Sequence, residues 1–387
     1  MSHRRTHSAP CICHVTTVHV PFDTRIFHKE CVSLAEAGYD VHLVARYDRE
    51  EVVSGVRVHP LPTPASRPAR ILGLPWLARR RVLSIRPRPA LVHVHDPELL
   101  PVARSLRRLG IVCLFDVHES IADQMLDKPY LDPRLRRLAA GTWRRLERPL
   151  LAGMPTVHVL DSIAQRYPEP KVVVRNLPIL SGDGPVRSPR LGLNDPPVLL
   201  YLGSINELRG GLMMIQAAEA LRRRGRPFRL RLVGPVERAR TERRIRQAVR
   251  SAGLEQTVEL AGPMPFAAAR REVASADLGL CLFLPMPNTI NSLPNKLLEY
   301  QAAGLPVVAS DFEAWRPYVV DTGGGAQADP CDPENVAEVI DGLLANPERI
   351  ARMSRGGAEA VREKYRWELE KDNLLAFYRR LLGEGSA

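Results

Sequence analysis

Apolar residues in the first half of the chain fall in short β-branched runs that alternate with stretches of helical spacing. The runs predict buried strands at 11–18, 39–45, 90–95, 111–116, 156–160 and 171–175. The helical spacing predicts helices at 26–37, 97–109 and 133–151. Apolar strands that are separated by helices are typical of a parallel sheet covered on both faces. The pattern therefore predicts a doubly wound α/β domain.

The same alternation restarts after a segment without periodicity. Residues 177–197 are rich in Pro, Gly and Asp, which indicates a linker. Beyond them, strands are predicted at 198–203, 229–234, 257–260, 278–283 and 306–310, and helices at 210–224, 237–252, 266–275, 295–303 and over most of 333–382. We therefore expect two Rossmann-like α/β domains, 1–178 and 197–365, joined by a linker at 179–196. Ligands of such sheets bind at the carboxyl ends of the strands, so the expected site is a cleft between the domains.

Composition narrows the class of protein. A chain of 387 residues with 45% hydrophobic and 25% charged residues fits a two-domain globular protein and excludes extensive disorder. No run approaches the roughly 20 apolar residues of a membrane span, and the N-terminus lacks the apolar core of a secretory signal. We therefore expect a cytoplasmic protein. The six cysteines are scattered without a CxxC pair, so neither a zinc nor a disulfide framework is expected.

The net charge of +12 is placed unevenly. Residues 1–180 carry 27 basic and 17 acidic side chains, whereas the remainder is nearly neutral. This surplus indicates an anionic partner for the first half, whether membrane, nucleic acid or substrate. The segment 65–89 mixes Leu, Ile and Trp with seven arginines and fits a helix interrupted at Pro75. It suits an anionic membrane interface, while a connecting helix with one buried and one solvated face is the commoner explanation.

The strongest candidate chemistry lies in NSLPNKLLEYQAAGLPVVASD, residues 291–311. Ser292 is placed to cap a helix with Pro294 in its first turn. Lys296 and Glu299 then project from one face of the opening turns. Backbone N–H groups, the helix dipole and Lys296 attract phosphate, and Glu299 can accept hydrogen bonds from ribose hydroxyls. The same spacing also fits a solvated ion pair on a surface helix.

Two glycine-bearing strand ends add to this motif. YLGSINELRGG, residues 201–211, puts Gly203 at a strand end and Arg209 before a glycine pair. Glycine lets a ligand approach the backbone, and arginine can hold a diphosphate through two parallel hydrogen bonds. LVGPVE ends another strand at Gly234. Each glycine pattern alone is weak, but with Lys296 they favour a phosphate site at one edge of the second sheet.

These motifs resemble the retaining glycosyltransferases of the GT-B fold, specifically their large fourth family, which uses nucleotide-activated sugars. NKLLEYQAAGLPVVAS is similar to the donor-site helix of that family, and YLGSINELRGG is similar to its diphosphate loop. VHVHDPELLP (92–101) and FDVHES (115–120) resemble segments of the acceptor-side domain, so the resemblance spans nearly the whole chain. It implies two Rossmann-like domains facing each other across a cleft, with a C-terminal helix at 366–387 packing back on the first domain.

The resemblance also implies roles for single residues. Lys296 and Arg209 would hold the donor diphosphate, and Glu299 the ribose. Further donor contacts would come from strand ends and from the helix start, namely Gly203, Gly234, Met264 and Asn295. Two positions depart from the family pattern. Asn291 stands where a sugar-binding Glu is usual, and Ser204 stands where an Arg is usual. Asn291 can still bind sugar hydroxyls, and Ser204 as a donor contact leaves more phosphate charge to Arg209 and Lys296.

All eleven histidines lie within residues 3–158. His93, His95 and Asp96 form HVHD, and the two histidines share a strand face, as metal ligands would. No matching set of ligands is evident elsewhere along the chain. We therefore expect no metal site.

His118 follows a strand end beside Asp116 and Glu119. The resemblance implies that His118 contacts the transferred sugar, and pairing with Asp116 is the structural alternative. We place Glu119 on the acceptor side. The remaining acceptor-side candidates follow the first strand in VPFDTRIFHKE and are Asp23, Arg25 and Lys29. By the carboxyl-end rule they should face the cleft, although an Asp23–Arg25 pair within the loop explains them equally well.

The expected activity is transfer of a hexose-type sugar from a nucleotide diphosphate sugar to an acceptor hydroxyl with retention, in polysaccharide or glycolipid synthesis. The nucleotide sugar is a co-substrate and no metal is obligatory. We expect a sugar or lipid-linked acceptor and peripheral attachment of the N-terminal domain to the inner face of an anionic membrane. Alternatives are a sugar-nucleotide epimerase or hydrolase of the same fold, a non-catalytic nucleotide-sugar binder and a nucleic-acid-binding protein. Against nucleic acid stand 5% aromatic residues and no RNP, KH or zinc-finger pattern.

Overall fold

The computed structural model describes residues 9–126, 132–180 and 193–384. The chain divides into two compact units: unit 1 comprises Met1–Asn176 and Trp367–Ala387, and unit 2 comprises Leu177–Arg366. Each unit is a largely parallel sheet with helices on both faces, which confirms the predicted α/β class. Of the predicted linker, residues 181–192 lie outside the described part of the chain.

The sheet of unit 1 has the strand order β3-β4-β2-β1-β5-β6-β7-β8. Every neighbouring pair is parallel except β3 and β4, which are antiparallel. The strands are β1 (Cys11–Val15), β2 (Asp40–Arg46), β3 (Glu51–Val53), β4 (Val56–Leu61), β5 (Leu91–Val94), β6 (Val112–Val117), β7 (Thr156–His158) and β8 (Lys171–Val173). The pair β3 and β4 was not predicted from the sequence, because β3 has only 3 residues and the apolar residues of β4 alternate with Arg57, His59 and Pro60.

The helices of unit 1 cover both faces of this sheet. They are α1 (Val32–Glu36), α2 (Arg67–Leu72), α3 (Leu74–Ser84), α4 (Leu100–Arg107), α5 (Ile121–Leu126), α6 (Pro133–Leu151) and α7 (Asp161–Ala164). Residues of α3, α4 and α6 join one buried cluster with Cys11 and Cys13 of β1. The opposite face is covered by α1 and by a π-helical segment, Thr24–Cys31. Alternate residues of β1 therefore pack into two separate hydrophobic cores, one on each face of the sheet.

Two local predictions for unit 1 need correction. The helix expected at 26–37 is π-helical over Thr24–Cys31 and α-helical only over Val32–Glu36. The basic segment 65–89 breaks at Gly73, between α2 and α3, and not at Pro75. Pro75 occupies the second position of α3, where a helix needs no backbone N–H donor.

The sheet of unit 2 has the order β11-β10-β9-β12-β13-β14, and all of its neighbouring strands are parallel. The strands are β9 (Val198–Leu202), β10 (Arg229–Val233), β11 (Val258–Gly262), β12 (Leu278–Cys281), β13 (Val307–Ser310) and β14 (Gly325–Ala328). Its central strand β9 leads into YLGSINELRGG, and β12 runs beside it. The candidate donor residues therefore follow the carboxyl ends of central strands, where α/β sheets bind ligands.

Helices cover both faces of the second sheet. They are α8 (Gly211–Arg223), α9 (Ala239–Ser251), α10 (Phe266–Ser275), α11 (Pro287–Ile290), α12 (Asn295–Ala302), α13 (Arg316–Val319), α14 (Pro333–Leu344) and α15 (Pro347–Lys364). The core is a single large cluster that draws on β9, β10, β12, β13 and the helices around them.

The last helix, α16 (Trp367–Leu382), belongs to unit 1. Trp367 Nε1 donates to Ser33 Oγ at 2.9 Å, and the Tyr378 hydroxyl lies 2.7 Å from His93 Nδ1. Both aromatic side chains are buried in the core that α1 also covers. Within the described residues, no helix combines the length and apolar content needed to cross a bilayer.

Candidate functional site

Two glycines bring the strand ends of unit 2 unusually close together. Gly203 donates its N–H to Val233 O and Gly234 donates to Gly262 O, each at 2.8 Å. Their φ angles are 136° and 137°, a region that L side chains rarely adopt. A Cβ atom at Gly234 would lie 2.1 Å from Gly203 O. Glycine at these positions therefore leaves an edge where a ligand can contact the backbone directly.

Lys296 occupies the first turn of α12 and points at this edge. Its Nζ lies 3.8 Å from the ring centre of Tyr201 and 5.3 Å from that of Phe283. A Cβ atom at Gly203 would lie 3.0 Å from the same Nζ. Nζ is buried and makes no hydrogen bond to any residue that the structure describes. Burial lowers the pKa of Lys296 from its ordinary 10.5 to about 8. The ammonium thus lies against aromatic faces, and no counter-anion among the described residues is within hydrogen-bond reach.

Arg209 lies next to Lys296. Its guanidinium carbon is 5.8 Å from the ring centre of Phe283, the same ring that Lys296 approaches. The backbone N–H of Arg209 donates to Asn206 Oδ1 at 2.8 Å. The following Gly210 has a φ of 76°, and a Cβ there would lie 2.0 Å from Leu282 O. The loop can therefore carry Arg209 to the end of β12 only because residue 210 has no side chain.

The helix that carries Lys296 is fixed by Tyr300. Its hydroxyl accepts the N–H of Leu202 at 2.7 Å, which ties α12 to the end of β9. Its ring packs against Gly279, where a Cβ atom would lie 2.4 Å from Cδ2 of Tyr300. Neither residue was singled out from the sequence. A lone glycine inside a buried strand is the signal that could have found this close approach.

The predicted cap of α12 is wrong. The helix begins at Asn295 after Pro294, and Pro294 supplies no side-chain cap. The hydroxyl of Ser292 instead donates to Thr289 O at 2.9 Å. Since Pro294 gives its helix no side-chain cap, the leading N–H groups of α12 can bind a ligand anion.

The other donor candidates surround this centre. Glu299 is exposed one turn after Lys296, and Asn291 is exposed before the helix. Met264 follows the end of β11 and packs partly buried against the core of unit 2.

Glu237, in the loop after β10, contacts the loop after β9 and was not singled out from the sequence. Glu237 Oε1 accepts from Ser204 Oγ at 2.6 Å and from Asn206 Nδ2 at 2.9 Å. Partial burial favours a higher pKa of Glu237, but these hydrogen bonds outweigh that effect and the pKa is lowered. Ser204 is thus tied to the loop after β10.

Two of the acceptor-side candidates in unit 1 are buried, which corrects the prediction that they face a cleft. Arg25 is 2% exposed and pairs with Asp116 through Nε–Oδ2 at 2.9 Å and Nη2–Oδ1 at 3.1 Å. Its Nη1 donates to Val174 O at 2.9 Å. Lys29 is 1% exposed and its Nζ donates to Asn176 Oδ1 at 2.5 Å. Their positive charges are used inside the unit and are not presented to a substrate.

Asp23 and Glu119 lie nearer the surface of unit 1. Asp23 Oδ1 accepts the backbone N–H groups of Arg25 and Ile26 and so caps the π-helical segment. Burial opposes ionisation of Asp23, but the neighbouring His19 and these N–H groups hold its pKa well below the usual range. Glu119 Oε2 accepts from Gln124 Nε2 at 2.6 Å. Asp23 pairs with the backbone of Arg25, not with its guanidinium.

His118 pairs with Asp116, which was the structural alternative for this residue. Its Nε2 lies 3.3 Å from Asp116 Oδ2, and its ring stacks on His19 at 5.1 Å between centres. The side chain nevertheless keeps 23% of its surface exposed. Burial lowers the pKa of His118 to about 4, so the ring is neutral near pH 7. A neutral imidazole that is held by a carboxylate can donate or accept a hydrogen bond at the surface.

Comparison with known proteins decides the family. The model described as glycosyl transferases group 1 matches residues 196–346, and the model described as glycosyl transferase 4-like domain matches residues 24–178. Together they cover most of both units. The chain belongs to the group 1 glycosyltransferases.

Curated group 1 relatives match about half of this chain. An alpha-D-kanosaminyltransferase of Streptomyces kanamyceticus is 28% identical over 192 residues, which are 50% of this chain and 48% of the relative. A D-inositol 3-phosphate glycosyltransferase of Segniliparus rotundus is 30% identical over 53% of this chain and 45% of its own length. A phosphatidyl-myo-inositol mannosyltransferase of Mycobacterium leprae is 30% identical over 51% and 49%. The matches thus span about half the length of these relatives.

Solved structures match nearly the whole chain and support the GT-B fold. Sucrose-phosphate synthase from Thermosynechococcus elongatus aligns with a TM-score of 0.77 at 19% identity, over 97% of this chain and 99% of that chain. Anabaena HepE, in complex with UDP and glucose, aligns with a TM-score of 0.72 at 14% identity, over 96% and 100%. WaaG, a glycosyltransferase of lipopolysaccharide biosynthesis, aligns with a TM-score of 0.71 at 16% identity, over 95% and 99%. At identities this low, the likeness shows the fold of this glycosyltransferase and does not show its substrates.

Proposed function

We propose that this protein transfers a hexose-type sugar from a nucleotide diphosphate sugar to an acceptor hydroxyl, with retention at the anomeric carbon. The observation that carries the proposal is Lys296, a buried ammonium whose Nζ makes no hydrogen bond to any described residue. It lies beside Arg209 and two close-packed glycine strand ends. A diphosphate supplies the missing anion, because it can accept hydrogen bonds from Lys296, Arg209 and the leading N–H groups of α12.

In this proposal the catalytic effect is mainly electrostatic. Negative charge develops on the diphosphate as the glycosidic bond to the sugar breaks, and Lys296 and Arg209 stabilise that charge. Two cations and a helix N-terminus can do this without a metal, so we propose that the transfer step needs none. Glu299 is proposed to hold the ribose hydroxyls, while Asn291 and His118 contact the transferred sugar. Neutral His118 suits a hydrogen bond to a hydroxyl better than an imidazolium would.

The test begins with donor binding. Thermal shift and calorimetry with UDP- and GDP-sugars should identify a donor that stabilises the protein. Lys296→Ala should abolish that stabilisation, and removal of this charge should reduce transfer by about 10²–10³-fold. Lys364→Ala, which removes an exposed lysine at the end of α15, is the matched control and should behave like the wild type. Near-normal turnover of Lys296→Ala would reject the site. Rapid donor conversion without any acceptor would indicate an epimerase or hydrolase instead.

For the acceptor, we propose a lipid-linked molecule at an anionic membrane. The helices α3 and α6 lie over the same face of the unit 1 sheet and expose apolar side chains next to arginines. Trp76 of α3 is 51% exposed and Leu138 of α6 is 68% exposed. Other exposed residues of these two helices are Leu77, Arg80, Arg134, Leu135, Arg145, Leu146 and Arg148. Exposed leucines and a tryptophan beside cations fit the interface of an anionic bilayer.

Vesicle binding tests this second part. Each arginine near an anionic surface contributes about 1 kcal/mol, so a variant of α6 with Arg134, Arg145 and Arg148 changed to Ser should bind about a hundredfold more weakly. The matched control changes Arg240, Arg243 and Arg250, three exposed arginines of α9 in unit 2, to Ser. Equal flotation with anionic and neutral vesicles, or equal losses in both variants, would reject membrane attachment through α6. The proposed transfer reaction would not be affected.

A further inference from the structure

Four buried polar side chains meet inside unit 1. The parallel register of β1 and β5 puts His14 opposite His93. His95 follows the end of β5, and Glu30 comes from the π-helical segment Thr24–Cys31. All four are buried. Three imidazoles and a carboxyl group without water need fixed partners, because unsatisfied polar groups are costly in a protein interior.

The donor atoms of the four residues converge. One ligand atom from each lies within 4.8 Å of all the others. His14 Nδ1 and His95 Nε2 are 2.9 Å apart. Glu30 Oε2 lies 3.8 Å from His14 Nδ1, 3.8 Å from His93 Nδ1 and 3.9 Å from His95 Nε2. In a tetrahedral zinc site with bonds of about 2.0–2.1 Å, donor atoms are about 3.4 Å apart. Reaching that spacing requires Glu30 Oε2 to move inward by about 0.5 Å and the nitrogens of His14 and His95 to move apart by a similar amount.

Two of the histidines have a partner for the ring nitrogen that points away from the cluster. His95 Nδ1 lies 3.4 Å from Asp116 Oδ2. His14 Nε2 lies 3.2 Å from the hydroxyl oxygen of Tyr378. When the outer nitrogen donates its proton to such a partner, the inner nitrogen presents a lone pair. Both rings are therefore oriented as metal-binding histidines are.

The carboxyl group of Glu30 likewise has one oxygen beside an outside partner and one oxygen that faces the cluster. Glu30 Oε1 lies 3.1 Å from Arg25 Nε, while Oε2 faces the three histidines. Neither oxygen has a well-formed hydrogen bond within the described part of the chain. The Tyr378 hydroxyl approaches His93 Nδ1 at 2.7 Å and can keep its bond to His14 if His93 turns to a metal.

We propose that His14, Glu30, His93 and His95 form a structural binding site for a divalent transition-metal ion, with zinc the best match. Three imidazole nitrogens and one carboxylate oxygen are a donor set for such ions, whereas calcium and magnesium prefer oxygen alone. All four positions are filled by the protein, which is typical of a structural site without catalytic water. The ion would tie β1, β5 and the π-helical segment together. Through His95 it would also fix Asp116, the partner of His118.

Metal content tests the proposal directly. The full-length protein is treated with a chelator, supplied with Zn²⁺ or Co²⁺, freed of excess ion and measured by mass spectrometry. We expect about one ion per chain and, with Co²⁺, the intense visible absorption of a four-coordinate centre. Adding Zn²⁺ back should raise the melting temperature of the chelated protein. A wild-type protein that retains neither ion and shows no such shift would overturn the proposal.

Single substitutions test whether the proposed side chains bind the ion. His95→Gln and Glu30→Gln each remove one ligand and should lower the affinity for Zn²⁺ at least tenfold. His158→Gln is the matched control, since His158 is also buried in unit 1 but pairs with Thr156 Oγ1 at 2.8 Å outside the cluster. Its metal content should equal that of the wild type. Full metal content in both ligand variants would overturn the assignment. The wild-type measurement decides the question even if a variant fails to fold.

Discussion

At the scale of single residues, the partners of two buried cationic groups distinguish a structural role from a ligand-binding role. The charged groups of Arg25 and Lys296 are both buried, yet Arg25 has a bidentate carboxylate partner whereas Lys296 Nζ makes no hydrogen bond to any described residue. A buried cation with a complete set of partners stabilises the fold, whereas one without an anion is ready for a ligand. Substitution of Lys296 should therefore alter ligand binding, whereas substitution of Arg25 should destabilise the fold.

Donor affinity should depend on pH through Lys296. The protonated ammonium binds the diphosphate, so affinity should fall as the pH rises through about 8, where Lys296 loses its proton. Without donor, the folded state binds fewer protons than the unfolded state between about pH 8 and 10.5, so the free energy of unfolding should rise across that range. Calorimetric titration of the donor across pH 8 measures the first effect. Lys296→Arg, which stays charged, should flatten the profile. An unchanged profile in that variant would assign the titration to another group.

Replacing Arg25 should destabilise unit 1 strongly. Arg25→Met leaves the Asp116 carboxylate buried without its cation, which costs about 3–5 kcal/mol. The control is Arg57→Met, because Arg57 is half exposed where it pairs with Asp40, and such pairs contribute about 0–1 kcal/mol. Denaturant unfolding of both variants gives the comparison. Equal losses would contradict a special role for the buried pair.

At the scale of elements, the position of α12 depends on a contact that no propensity predicts. Tyr300 fits against Gly279 of β12 and accepts the N–H of Leu202. This contact determines where Lys296 and Glu299 lie relative to the strand ends. The helix is thus positioned by its buried face while its first turn stays available to a ligand.

Gly279→Ala should disturb both stability and donor binding. The new Cβ would lie 2.4 Å from the Tyr300 ring, and such overpacking typically costs about 1–3 kcal/mol. Because α12 has to shift, the donor affinity should fall as well. Gly342→Ala is the matched control, since residue 342 is an exposed position of α14 with open space, where alanine should stabilise by about 0.5–1 kcal/mol. Denaturation and donor titration measure the two effects. Wild-type donor affinity in Gly279→Ala would contradict this account of α12.

At the scale of the whole molecule, the chain returns to unit 1 after completing unit 2. Trp367 and Tyr378 of α16 are buried in the first unit, although they are more than 300 residues from their partners Ser33 and His14. Unit 1 is therefore complete only when the last helix has been made. Unit 2, by contrast, is built from one continuous stretch.

The two units should respond to different perturbations. Trp367→Ala removes a buried aromatic side chain and should lower the stability of unit 1 by about 3–5 kcal/mol. Trp315→Ala, its counterpart in unit 2, should affect the unit that carries the proposed donor site. Scanning calorimetry with and without a nucleotide sugar should show ligand stabilisation of the transition that Trp315→Ala lowers. Ligand stabilisation of only the transition that Trp367→Ala lowers would refute donor binding by unit 2.

The sequence by itself determined the α/β class and most of the strands, because apolar periodicity and glycine positions are local properties. The helix predicted at 133–151 has those bounds in the structure, and the donor-helix motif pointed to Lys296. Local patterns did not show β3, β4 and β14, because β3 and β14 are short edge strands and β4 contains Arg57, His59 and Pro60.

Only the tertiary structure decided which polar residues meet. Arg25 and Asp116 are 91 residues apart in the chain, and the spacing of neither revealed a buried pair. His93 and His95 were visible as a pair, but His14 and Glu30 join them only through the register of β1 with β5 and the fold of the π-helical segment. Register depends on the packing of whole strands, which a stretch of sequence does not record. The pairing of Arg25 with Asp116 and the meeting of His14 and Glu30 with His93 and His95 were therefore not predictable from the sequence.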